Sequence, residues 1–117
     1  MTLSLSHVHL KTPDPKKTIQ FYIDNFGATI KGEMASGYQL NLHGLQLNVT
    51  TIMATQNHEQ HHGIEHLAIE STDYDSTMAT VRKNGVQVLE QFTSDTGRRV
   101  AFLMCPDGAQ MEIIEKK

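Results

Sequence analysis

Strict alternation opens the chain. In LSLSHVHL, Val8 and Leu10 share one face of a strand, and His7 and His9 share the other. TPDP interrupts it, and Asp14 followed by Pro15 predicts a helix start. Within KKTIQFYIDNFG the apolar residues Ile19, Tyr22, Ile23 and Phe26 recur at helical spacing until Gly27. Three β-like runs follow, ATIKGEM, GYQLNL and LQLNVTTI, separated by glycines. After a polar, aperiodic stretch the order restarts. IEHLAIES predicts a strand, TDYDSTMATVRKNG a helix with Tyr74, Met78 and Val81 inward, and VQVLEQF, RRVAFLM and AQMEIIE three more strands.

The two halves superimpose as sequences. His7 and His66, Asp14 and Asp73, and Thr18 and Thr77 each lie 59 positions apart, and Gly27 and Gly85 follow with a one-residue slip. In the last strands GLQLNV lies over GAQMEI, pairing Gly44 with Gly108, Gln46 with Gln110 and Asn48 with Glu112. The shared order predicts a duplicated α+β domain: two βαβββ modules, residues 1–53 and 64–117, joined by a polar loop, residues 54–63.

Composition narrows the class without changing this picture. A chain of 117 residues with 38% hydrophobic and 20% charged positions is one ordinary globular domain. The net charge of −3 gives no reason to expect nucleic acid or an anionic membrane as partner. The lone Cys105 excludes an internal disulfide and suits a reducing cytosol. With no signal-peptide pattern at the start and no long apolar run, the expectation is a cytoplasmic protein.

Four of the seven histidines crowd into NHEQHHGIEH, residues 57–66, where His58-Glu59-Gln60-His61-His62 spells H-E-x-x-H. That motif binds zinc only on a helix, which sets both histidines on one face. Here Gly63 and a strand follow at once, and 54–62 offers no apolar face to anchor a helix. The expectation for His58, His61 and His62 is therefore a solvated loop.

His66 sits inside a strand instead. If Leu67 and Ile69 pack under the second helix, His66 points to the opposite face, as His7 and His9 do. Gln46 and Asn48 face away from Leu45, Leu47 and Val49, and Gln110 and Glu112 face away from Met111 and Ile113. One face thus collects His7, His9, Asn48, His66 and Glu112. Two imidazoles and a carboxylate are a donor set shared by facial-triad iron sites and by many zinc, manganese and nickel sites.

SHVHLKTPDPKKTIQFYIDNFG, GIEHLAIESTD and FLMCPDGAQMEIIE, spread over nearly the whole chain, resemble the vicinal oxygen chelate superfamily. This is the group of glyoxalases, bleomycin-resistance proteins and extradiol dioxygenases. The third segment resembles the family's D-P-D-G turn, with Cys105 in place of the first aspartate. The resemblance implies paired modules forming a cupped mixed sheet with helices on the outer face, commonly in homodimers. It also implies His7, His66 and Glu112 as ligands of one divalent metal (Fe2+, Zn2+, Ni2+ or Mn2+), with a small-molecule substrate chelated through neighbouring oxygens.

Several chemistries fit that centre. Isomerase or lyase chemistry of the glyoxalase type needs a base. The first-module glutamate that commonly serves in glyoxalases is Asn48 here, leaving Glu112, His9 or a residue such as Glu33. Extradiol-type oxygenation needs only the two histidines and one carboxylate. Thiol transfer to an epoxide, as in fosfomycin resistance, ranks third: His9 replaces that family's threonine and Phe102 its sheet tyrosine. Asn48, Gln46, Lys11 and Phe102 are the candidate substrate contacts, and Lys11, Arg98 or Arg99 could hold a substrate carboxylate. A metal-free binding or antibiotic-resistance protein of the same fold is the alternative.

Overall fold

The computed structural model describes residues 2–117. The strands are β1 (Leu3–Lys11), β2 (Thr29–Met34), β3 (Gly37–Leu42), β4 (Leu45–Thr50), β5 (Gly63–Ser71), β6 (Val88–Thr93), β7 (Arg99–Met104) and β8 (Gln110–Glu115). Two helices, α1 (Pro15–Phe26) and α2 (Tyr74–Lys83), complete an α+β chain, and a short 3-10 turn, Pro106–Gly108, precedes β8. The chain divides into two compact units, His7–Glu65 and His66–Lys117, the latter taking in the first residues up to Ser6.

In the first unit the strand order is β2-β3-β4-β1, with β1 and β4 parallel and the other neighbours antiparallel. The second unit repeats it as β6-β7-β8-β5, with β5 and β8 parallel. Each helix packs on one face of its sheet. Ile19 of α1 joins Leu10, Ala28, Leu40, Leu47 and Val49 in one core, while Tyr74 and Met78 of α2 join Ala101, Leu103 and Ile113 in the other. Full burial of such a side chain contributes about 1.5–3 kcal/mol, so these two clusters hold the modules together.

The repeat extends to individual hydrogen bonds. Asp14 caps α1 by accepting from Lys17 N at 3.1 Å, and Asp73 caps α2 by accepting from Ser76 N at 3.1 Å. Thr18 and Thr77 exchange a hydroxyl bond of 2.8 Å with Thr12 and Ser71, respectively, at the preceding strand ends. Both helices stop where a glycine, Gly27 or Gly85, takes a left-handed φ of 73° or 77°. Each module also carries a β-bulge at the same place, between Ile30 and Gly32 and between Val88 and Glu90. Gly37 is required by close approach: a Cβ there would lie 1.9 Å from the Val49 carbonyl oxygen.

Two apolar positions depart from the alternation. Phe26 is 53% exposed, and its ring rests on Phe21 and Tyr22 instead. Leu67 is 41% exposed, whereas Ile69 packs against the second core. β5 also begins at Gly63, one residue inside the stretch expected as loop.

Candidate metal centre and substrate face

In the first unit, register places the polar residues in rows across the sheet face opposite α1. Thr29, Asn41 and Gln46 form one row; Gln39, Asn48 and His9 form the next; Gly37, Thr50 and Lys11 form the third. His7, His9, Lys11, Asn48 and Thr50 are all buried. His7 and His9, two apart on β1, each offer a ring nitrogen within 4.8 Å of the other, and their rings lie 5.8 Å apart. Buried polar groups at this density must be held by hydrogen bonds, and the bonds are specific. Gln46 Nε2 donates to Asn48 Oδ1 at 3.1 Å, and the Thr50 hydroxyl donates to the Thr51 carbonyl at 3.0 Å. With that single hydroxyl proton committed, Thr50 Oγ1 accepts from His9 Nε2–H across 2.7 Å. The neutral His9 ring therefore carries its lone pair on Nδ1.

Lys11 is 1% exposed. Its ammonium donates to Gln56 Oε1 at 3.0 Å and Gln60 Oε1 at 2.6 Å, and lies 3.7 Å from Glu65 Oε1. Gln60 in turn clasps Met53 through both backbone groups, at 2.9 and 2.8 Å, and Glu65 Oε2 accepts from His61 N at 3.1 Å. This network ties the loop from Thr51 to His62 to the end of the polar face. The loop contains no helix, so H-E-x-x-H has none of the geometry it requires. His61 and His62 are exposed as expected, but His58 is buried, at 8% exposure.

In the second unit the corresponding face carries His66 opposite Gln110, and Ala68 opposite Glu112, on the parallel strands β5 and β8. His66 Nε2 lies 3.2 Å from Glu112 Oε1, with the imidazole almost fully enclosed and the carboxylate 13% exposed. Phe102, directly across from Glu112, is fully buried. Its ring meets His66 edge-on at 5.2 Å and stacks with Phe92 at 6.2 Å, which fixes the imidazole plane. The residues named from the sequence in this half, His66, Glu112 and Phe102, are thus neighbours.

The His66–Glu112 geometry fits a shared metal. Ligand atoms about 2.0–2.2 Å from one ion at tetrahedral or octahedral angles stand about 3.0–3.5 Å apart, and the observed separation falls inside that span. Imidazole nitrogen with carboxylate oxygen is also a donor pair that suits zinc, iron, manganese or nickel.

Other candidates lie elsewhere. Glu33 pairs with Tyr38, on the face packed under α1, because the bulge after Ile30 reverses the alternation before reaching it. Arg98 pairs with Glu70 at 3.4 Å. Arg99 binds Asp75 at 2.7 Å and Glu115 at 2.8 Å and lies over the Tyr74 ring at 4.6 Å. Its bond to Glu115, then that to Asp75, raises the guanidinium pKa, while the same bond pulls the Glu115 carboxyl down to about 2. Sequence reasoning missed Thr50, Gln39 and Lys31. Thr50 shares the parity of Asn48, and Lys31 that of Thr29, so alternation could have found both.

Comparison with known proteins agrees with this architecture. The sequence profile of the Glyoxalase/Bleomycin resistance protein/Dioxygenase superfamily matches residues 4–113. Glyoxalase I of Saccharomyces cerevisiae is 23% identical over 97% of this chain, which spans only 45% of that relative's length. Among solved structures, a hypothetical protein from Bacillus halodurans C-125 superimposes with a TM-score of 0.79 at 22% identity, covering 100% of this chain and 96% of that one. Methylmalonyl-CoA epimerase from Mycobacterium tuberculosis superimposes with a TM-score of 0.70 at 23% identity, covering 97% and 87%. These structures share the fold. With the profile covering nearly its whole length, the chain belongs to the glyoxalase/bleomycin resistance protein/dioxygenase superfamily.

Proposed function

We propose that the protein is a divalent-metal-dependent enzyme acting on a small molecule, with His7, His66 and Glu112 as the metal ligands. The observation that carries this reading is the 3.2 Å approach of His66 Nε2 to Glu112 Oε1, beside the buried ring of Phe102. A bound ion there supplies Lewis acidity toward two neighbouring substrate oxygens. Proton-transfer chemistry, isomerase or lyase, is favoured over oxygenation because the named relatives are a glyoxalase I and a methylmalonyl-CoA epimerase.

The chain's own groups have distinct tasks in this reading. His9, held through Nε2–H by Thr50, presents Nδ1 as the atom that takes up or returns a proton. Glu112 is the second candidate base. Asn48 and Gln46, already linked to each other, orient polar substrate atoms by their amides. Phe102 packs behind His66 and excludes water. Lys11 holds the loop that borders the face. As the resemblance implies, we take the working form to be a homodimer, and from the composition and the lone Cys105 we take it to be cytoplasmic. Among the described residues no helix is long and apolar enough to cross a membrane.

The test is metal analysis of protein purified without added metal. Wild type is expected to carry about one equivalent, with His7→Ala, His66→Ala and Glu112→Gln each losing about 10-fold or more in affinity. Wild type without metal, and indistinguishable from His66→Ala on titration, would overturn the enzyme reading in favour of a metal-free binding protein. Oxygen uptake by the iron-loaded, anaerobically prepared protein would move the assignment to oxygenation.

A further inference from the structure

The polar face of the first unit does not end at Asn48. Gln46 Nε2 donates to Asn48, and Gln46 Oε1 accepts from Lys31 Nζ at 2.6 Å, so a hydrogen-bonded chain runs outward from Asn48 to an ammonium. Beyond Gln46 opens a cavity of about 400 Å3 lined by Thr29, Ile30, Lys31, Asn41, Gly44 and Gln46. Lys31 has no carboxylate within ion-pair distance among the described residues, in contrast to Lys11, Arg98 and Arg99. It is the extra residue of the bulge between Ile30 and Gly32, and its side chain reaches Gln46 on the face that Thr29 shares. The second module has the same bulge but carries Leu89 at this position. The bulge is therefore a property of the module, and the cation is what the first module adds to it.

We propose that this cavity seats an anionic oxygen group, a carboxylate or a phosphate, at the far end of the substrate. The inference rests on the reading above, in which Asn48 and Gln46 meet substrate. The substrate class then follows: a small molecule with chelating oxygens at one end and an anion at the other. Alternate residues on a strand stand roughly 7 Å apart, so the two ends are separated by one to two such steps. Lys31 is suited to the role because its ammonium can leave the Gln46 carbonyl for a charged acceptor, a stronger hydrogen bond than the neutral one it replaces.

The test uses chelator-treated protein, so that its outcome is separate from metal binding. Inorganic phosphate, glutarate and the neutral analogue glutaramide are titrated by ligand-observed NMR and calorimetry into wild type and variants. Both anions are expected to bind saturably at one site and glutaramide is not. Lys31→Glu should weaken the anions by about 10-fold or more, the loss of one charge-assisted bond. Gln46→Glu, which would place a carboxylate against Lys31, should weaken them comparably, and Lys31→Arg should stay within about threefold of wild type. The tighter of phosphate and glutarate identifies the group. Equal binding of glutaramide, unchanged binding by Lys31→Glu, or no saturable binding of either anion would overturn the proposal. Metal content of Lys31→Glu equal to wild type would show that the two readings stand or fall separately.

Discussion

A histidine serves as a base only if the proton it already carries is held elsewhere, and Thr50 does this for His9. The hydroxyl proton goes to the Thr51 carbonyl and the lone pair accepts from Nε2–H, so one threonine sets the tautomer. In metal-free protein, ring 15N correlation spectra are expected to show neutral His9 protonated at Nε2. Thr50→Val should give a mixture of tautomers and cost about 1 kcal/mol. A spectrum unchanged by Thr50→Val would remove the threonine from this role. The face on which His9, Asn48 and Thr50 sit follows from strand alternation, which the sequence displays openly. The burial of His58 does not, because its loop folds back through Gln60 onto Met53 and Lys11, contacts that no local pattern encodes.

Between elements, buried charge decides how the loop is held. Lys11 and Glu65 both have side chains without solvent exposure, and each would be costly without the other. Lys11→Met is expected to destabilise the protein by about 3–5 kcal/mol, since it leaves a carboxylate enclosed. The double variant Lys11→Met, Glu65→Leu should recover much of that loss, as read by denaturant unfolding. A double variant as unstable as the sum of its singles would show that the pair is not coupled. Alternation gave Lys11 its face, but the partners come from a loop 45 and more positions away and could not be foreseen. The bulge in β2 had the same effect on Glu33, since one extra residue moved it to the face packed under α1, while Lys31, two positions after Thr29, kept the polar face.

The partly exposed cluster that ties α2 to β7 and β8 behaves differently. Arg99 joins Asp75 and Glu115 and lowers the Glu115 pKa to about 2. Because the folded value is depressed, its contribution is complete above the unfolded carboxylate range of about 4.3 and fades as pH falls toward 2. In low salt, Arg99→Met should therefore melt below wild type at pH 7, with the gap narrowing between pH 4.5 and 2. Added salt should narrow it at neutral pH as well. A gap independent of both pH and salt would assign the effect to the Tyr74 ring contact alone.

At the scale of the molecule, duplication explains both what the modules share and where they differ. Helix caps, hydroxyl pairs and bulges repeat because they build the βαβββ unit, and the matching offsets of the capping aspartates and helix threonines make the repeat legible in the sequence. The chemistry sits where the copies diverge. His9 opposite Asn48 in the first module becomes Ala68 opposite Glu112 in the second, so one copy keeps the extra imidazole and the other the carboxylate. Asn48→Glu tests whether that division matters. Asn48 is 3% exposed, and an uncompensated carboxylate there should cost the metal-free protein about 2–4 kcal/mol. If the substituted side chain joins the ion that we propose His7, His66 and Glu112 hold, added zinc or manganese should raise the melting temperature more in the variant than in wild type, since ligand binding stabilises by mass action. An equal or smaller rise would mean that position 48 does not reach the metal and serves only the substrate, leaving Glu112 as the one carboxylate the centre can use.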